Sequence, residues 1–112
     1  MPFHVPGTLS ANIVITFEAP FNFRLRTLSA CASNDSDATL MLGISTDTNS
    51  ILTAAVIGDS SVPVEKRVAD FDAVNPTGAV SKGEIVVITV DYDGAAGTAA
   101  ADLTILLDLI AG

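Results

Sequence analysis

Hydrophobic and polar positions alternate with a period of two along most of this chain, and no segment holds a 3.6-residue period for three turns. Residues 11–17 place Ile13, Ile15 and Phe17 on one face and Asn12, Val14 and Thr16 on the other, until Pro20 ends the segment. Residues 21–26 alternate again, with Phe21, Phe23 and Leu25 inward and Asn22, Arg24 and Arg26 outward. The alternation slips between Leu25 and Leu28, which predicts a bulge or bend before Ala30-Cys31-Ala32. Residues 38–45 set Leu40, Leu42 and Ile44 on an inner face. Residues 51–57 form the next apolar run, within which 52–55 also permit a short helix. Residues 65–71 read as a short edge strand carrying Glu65, Lys66, Arg67 and Asp70.

The C-terminal third holds two runs rich in branched apolar residues, 84–93 and 101–109, around a Gly/Ala spacer. They predict a β-hairpin that closes the domain. In the first run Ile85, Val87 and Thr89 face one way and Val86, Ile88 and Val90 the other. Apolar groups on both sides mark a mid-sheet strand with another layer or subunit over its outer face. Val86, Ile88 and Val90, with Leu106 beside them, are therefore expected to form a self-association surface. In the second run Leu103, Ile105, Leu107 and Leu109 point inward, and Asp102, Thr104, Leu106 and Asp108 outward.

Turn chemistry recurs every 8–14 residues, as at Asn34-Asp35-Ser36-Asp37, Asp47-Thr48-Asn49-Ser50 and Asn75-Pro76-Thr77-Gly78. The expected fold is all-β, a single-domain β-sandwich or jelly roll of seven to eight short antiparallel strands over residues 11–112. Pro2, Pro6 and Gly7 keep the opening residues from being a helix or an inner strand. Residues 1–10 are expected to be an extended arm, with Phe3 and Val5 on either side of His4 as docking anchors.

Composition narrows the function. A chain of 112 residues that is 49% apolar folds as one domain with a core and is not globally disordered. Thirteen acidic residues oppose five basic ones, Arg24, Arg26, Lys66, Arg67 and Lys82, for a net charge of −8. So few and so scattered cations cannot displace counterions from a phosphate backbone, so neither nucleic acid nor an anionic membrane is an expected partner. The single cysteine, Cys31, excludes an intrachain disulfide and reads as a small half-buried hydrophobe. The N-terminus lacks the pattern of a signal peptide, and continuous apolar runs reach only about four or five residues. Use as a soluble protein is the expectation.

Candidate chemistry is thin. Gly58-Asp59-Ser60 follows an apolar run, as a serine nucleophile does in some esterases, yet His4 is the sole histidine and no base follows downstream. Asp91, Asp93 and Asp102 could gather around calcium, as could Asn34, Asp35 and Asp37, but neither group completes a calcium loop. Paired as acids and bases for glycoside hydrolysis, Asp35, Asp37, Asp91 and Asp93 lack surroundings that would raise a pKa. With no Trp and one Tyr, a sugar-stacking platform is poorly supplied. No enzyme, metal or cofactor is expected.

Four blocks carry a family resemblance: residues 25–32 (LRTLSACA), 38–45 (ATLMLGIS), 57–60 (IGDS), and 90–94 followed by 101–105 (VDYDG and ADLTI). In order and spacing, the chain resembles the small head-decoration (cement) proteins of tailed bacteriophages over residues 24–110. The resemblance implies a jelly-roll or β-sandwich protein, often trimeric, assembled in the host bacterial cytoplasm. It would sit on the outer capsid surface, with the major capsid protein as partner, and stabilise the head. Under that reading Phe3, His4, Val5, Arg24, Arg26, Lys66 and Arg67 are the partner-binding residues. The competing expectation is a small β-sandwich ligand- or carbohydrate-binding module of a phage tail or a carbohydrate-acting protein.

Overall fold

A computed structural model describes every residue except 1, 59, 73–74, 76, 95–96 and 112, and the backbone alone at 53 and 54. Among the described residues nine strands run in chain order: β1 (Pro2–Thr8), β2 (Ile13–Glu18), β3 (Phe23–Cys31), β4 (Ala38–Ile44), β5 (Asp47–Ile57), β6 (Val64–Arg67), β7 (Ala79–Val80), β8 (Ile85–Asp91) and β9 (Ala101–Ala111). A 3-10 turn at Val68–Asp70 follows β6. One sheet has the order β1-β9-β3-β6, with the two-residue β7 also on β3, and the other has the order β2-β8-β4-β5. All these pairs are antiparallel. Setting β7 aside, the pairs nest: β4 with β5 innermost, then β3 with β6, β2 with β8, and β1 with β9. That nesting is a long antiparallel ribbon wrapped over itself, the jelly roll. The fold class read from the alternation therefore holds.

Inward positions from both sheets fill the space between them. Leu28, Leu40, Ile88, Val90, Leu103 and Ile105 are all 0% exposed. Full burial of one such side chain stabilises by about 1.5–3 kcal/mol, which is why the period-two pattern sets each strand's facing. The slip in β3 is also real: Leu25 pairs with Leu109 and Thr27 with Asp108, leaving Arg26 as the extra residue of a bulge. Residues 52–55 lie within β5 and form no helix. The strand expected at 65–71 is shorter, because it gives way to the 3-10 turn after Arg67. Phe21, expected inward, precedes β3 and is half exposed.

Three expectations need correction. The two C-terminal runs are not a hairpin: β8 pairs with β2 and β4, whereas β9 pairs with β1 and β3 in the opposite sheet. The spacer therefore joins strands of opposite sheets. The arm expected at residues 1–10 is not free over its described residues. Residues 2–8 form edge strand β1, with Phe3 opposite Ile105 and Val5 opposite Leu103. Prolines are tolerated there because an edge strand leaves half its N–H groups unpaired. Lastly, Val86, Ile88 and Val90 are 2%, 0% and 0% exposed inside the core, so they cannot be a self-association surface. The outer side of β8 is instead Ile85, Val87 and Thr89, alongside Thr16 and Val14 of β2.

Candidate functional site

The outer face of the β1-β9-β3-β6 sheet gathers residues that lie far apart in sequence. Four rows cross it, set by strand register. His4 lies beside Thr104, which lies beside Cys31. Pro2 neighbours Leu106, then Ser29, then Glu65. Asp108 neighbours Thr27, then Arg67. Ile110 neighbours Arg24. Arg26 joins from the bulge, its Nε 3.8 Å from Asp108 Oδ2, with both side chains more than half exposed. Around Leu106, the residues Thr27, Ser29, Glu65 and Asp108 line a shallow depression of about 430 Å³.

The electrostatics of this face differ from those of the chain. Arg24, Arg26 and Arg67 share it with Glu65 and Asp108, with Asp102 at the rim, so the face is near neutral while the chain carries −8. Arg67 lies along its own strand, with its Nη2 and Nε donating to Glu65 Oε1 at 2.7 and 3.1 Å. Its backbone N–H donates to Asp70 Oδ2 at 3.0 Å, which turns the chain into the 3-10 segment. Leu106 and Ile110 are 47% and 39% exposed, two large apolar groups set among the arginines.

Of the residues expected to bind a partner, the fold brings together His4, Arg24, Arg26 and Arg67. It does not bring Phe3 and Val5, which face the core, or Lys66, which lies opposite Leu28 on the inward side of β6. An inward-directed lysine on an edge strand deters wrong strand pairing. Ile110 is a new member, and Leu106, expected beside Val86, Ile88 and Val90, lies instead on the outer face of the other sheet. Their parity on β9, the same as that of Asp108, was the available signal.

The acidic turns are structural fastenings. Asn34 donates to the Ala99 carbonyl and accepts from the Ala101 N–H, both at 2.9 Å. Asp35 Oδ1 accepts the Ser60 N–H at 2.7 Å, and Asp37 Oδ2 accepts the Thr98 N–H at 2.7 Å. Asp91 Oδ1 accepts the Asp93 N–H at 3.0 Å. Asp102 has φ +49°, in the left-handed region, and is held there by bonds that span the sheet edge. Its Oδ1 accepts the Gly7 N–H at 2.8 Å and its Oδ2 the Ser33 hydroxyl at 2.9 Å. The Gly7 bond first, then Ser33 and a smaller pull from His4, hold this carboxyl below the usual carboxylate range. Among the described residues no three His, Cys, Asp or Glu side chains converge as metal ligands.

The Gly58-Asp59-Ser60 segment has Asp59 outside the described residues. The Ser60 hydroxyl donates to the Ser33 carbonyl at 2.9 Å, and the His4 ring bonds Thr104 Oγ1 at 2.9 Å. Among the described residues the Ser60 hydroxyl thus donates to a carbonyl and not to His4.

No protein-family model matches the chain, and no curated protein matches it. A solved structure described as "CBM4 structure and function" is similar over 99% of this chain and 82% of that one, at 14% identity and a TM-score of 0.40. A likeness at that level carries no argument about function.

Proposed function

We propose that this chain is a non-enzymatic structural protein of a phage virion, a decoration protein that docks on the major capsid protein and stabilises the head. The observation that carries this reading is the near-neutral outer face of the β1-β9-β3-β6 sheet, where three of the chain's five basic residues surround Leu106 and Ile110. Arginine beside apolar groups is the make-up of protein interfaces, and a sheet face with only a shallow depression suits a broad coat surface better than a small molecule. The resemblance of residues 24–110 to head-decoration proteins supports it independently. Against a carbohydrate-binding module stands the absence of any Phe, Tyr or Trp among the residues forming this face.

The test mixes the purified chain with shells of the coat protein encoded beside its gene and follows co-sedimentation over a salt series. The expected result is saturable binding that weakens with salt and with Arg24→Ala, Arg26→Ala or Arg67→Ala. Binding absent at every salt concentration, or no coat gene nearby, overturns the proposal.

A further inference from the structure

The four outer strands of the sandwich are not equally protected against pairing with another chain. Strand β1 contains Pro2 and Pro6, and β6 is four residues long with charges at Glu65, Lys66 and Arg67. Strand β2 is six residues long, ends in Glu18 and is followed by Pro20. Short length, proline and charge are the usual devices that keep an edge from recruiting a strand. Strand β5 has only Asp47, at its hairpin end. It is eleven residues long and ends the β2-β8-β4-β5 sheet, and from Thr48 to Ile57 it contains no charged residue and no proline.

Part of this edge is covered, since the Asp72 N–H donates to the Ile51 carbonyl at 2.8 Å. Beyond that point, residues 52–57 have β4 as their one strand partner among the described residues. Val56 is 60% exposed on this stretch and Val62 is 57% exposed beside it. With Gly58, Pro63 and Val64 they line an apolar depression of about 370 Å³ at the end of the strand.

We infer that β5 is an intermolecular strand that pairs antiparallel with β5 of a second copy, joining the two sheets across a twofold axis. Two copies that each carry −8 repel overall and approach most readily where charge is absent. Residues 52–57 of β5 are such a place, and they combine it with a strand edge that has one strand partner among the described residues. An antiparallel pair of identical strands is self-complementary by geometry, as a twofold contact requires. It places each copy's exposed valines against the other and fills both depressions. A charged partner, in contrast, finds nothing there to read.

Sedimentation of the whole chain, Val56→Lys and Val14→Lys over a concentration series tests this inference. Val14 is 62% exposed on the outer face of the same sheet, on the far edge strand β2, so its variant reports on face-to-face stacking. The expected result is a dimer whose dissociation constant rises at least about tenfold in Val56→Lys and stays unchanged in Val14→Lys. Both variants keep the parent melting temperature, and amide exchange at residues 52–57 slows with concentration only where dimer forms. A parent chain that stays monomeric at about 100 micromolar overturns the inference. So does any oligomer, trimer included, that survives Val56→Lys or is lost in Val14→Lys. Capsid binding is measured separately, so the inference and the decoration reading stand or fall apart.

Discussion

The rings of Phe3 and Phe17 stack with centroids 6.0 Å apart and planes inclined by 28°. Phe3 comes from β1, the edge of one sheet, and Phe17 from β2, the edge of the other. The pair closes that side of the sandwich, and both rings pack against the core.

It follows that the first strand contributes to stability. Phe3→Ala and Phe17→Ala should each cost about 1–3 kcal/mol, less than a fully buried phenylalanine because both are half exposed. The double mutant should reveal a coupling of about 0.5–1.5 kcal/mol. Denaturant unfolding of the four proteins measures it. A deletion of residues 2–7 that melts like the parent would contradict the assignment of β1 to the sheet.

The Asp102 carboxylate should make the attachment of β1 sensitive to acid. Its folded pKa lies below its unfolded value, so the contribution is complete above the ordinary carboxylate range. It is lost as pH falls through the lower, folded pKa, where Gly7 and Ser33 lose their charged acceptor. Hydrogen exchange at residues 2–8 should quicken in that window. Asp102→Asn, which can still accept from Gly7 and needs no ionisation, should flatten the response. Exchange that quickens equally in both proteins would assign the effect to other groups.

Ile88→Ala should destabilise the fold by about 2–5 kcal/mol, since the side chain is 0% exposed and its loss leaves a cavity. Sedimentation should show no change in association while the protein remains folded. An Ile88→Ala protein that melts normally yet dissociates would restore this residue to an interface.

Gly43 lies where the β4–β5 hairpin folds back on itself. A β-carbon there would collide with the backbone of Asp47 and Thr48, which cannot swing aside as a side chain could. Gly43→Ala should therefore cost at least about 1–3 kcal/mol, read as a lower denaturation midpoint. An unchanged midpoint would mean that the hairpin can shift at no cost.

Arg26→Ala should leave stability within about 0.5 kcal/mol, because its 3.8 Å approach to Asp108 is solvent-exposed. If the decoration reading holds, the same substitution weakens capsid binding. Paired thermal and co-sedimentation measurements separate the two roles.

The sequence by itself determined the all-β class and, strand by strand, which side of each segment is apolar. In β9 the alternation separates Leu103, Ile105 and Leu107 from Thr104, Leu106 and Asp108, and burial follows it. The bulge at Arg26 was legible for the same reason, since one extra residue reverses the parity of everything after it. Parity is a local property, set by the pleat of a single strand. What parity cannot carry is the identity of the partner. Val86 and Val87 are both apolar, and only the docking of the second sheet made Val86 the core side. The Gly/Ala spacer is compatible with a hairpin turn or a crossing, and the burial of β8 between β2 and β4 decided for the crossing. Tertiary structure alone turned the opening residues into β1, and it alone placed His4, Arg24, Arg26 and Arg67 on one face with Leu106 and Ile110. Those neighbours are set by pairings between residues far apart in the chain, such as His4 with Thr104, which no local pattern encodes.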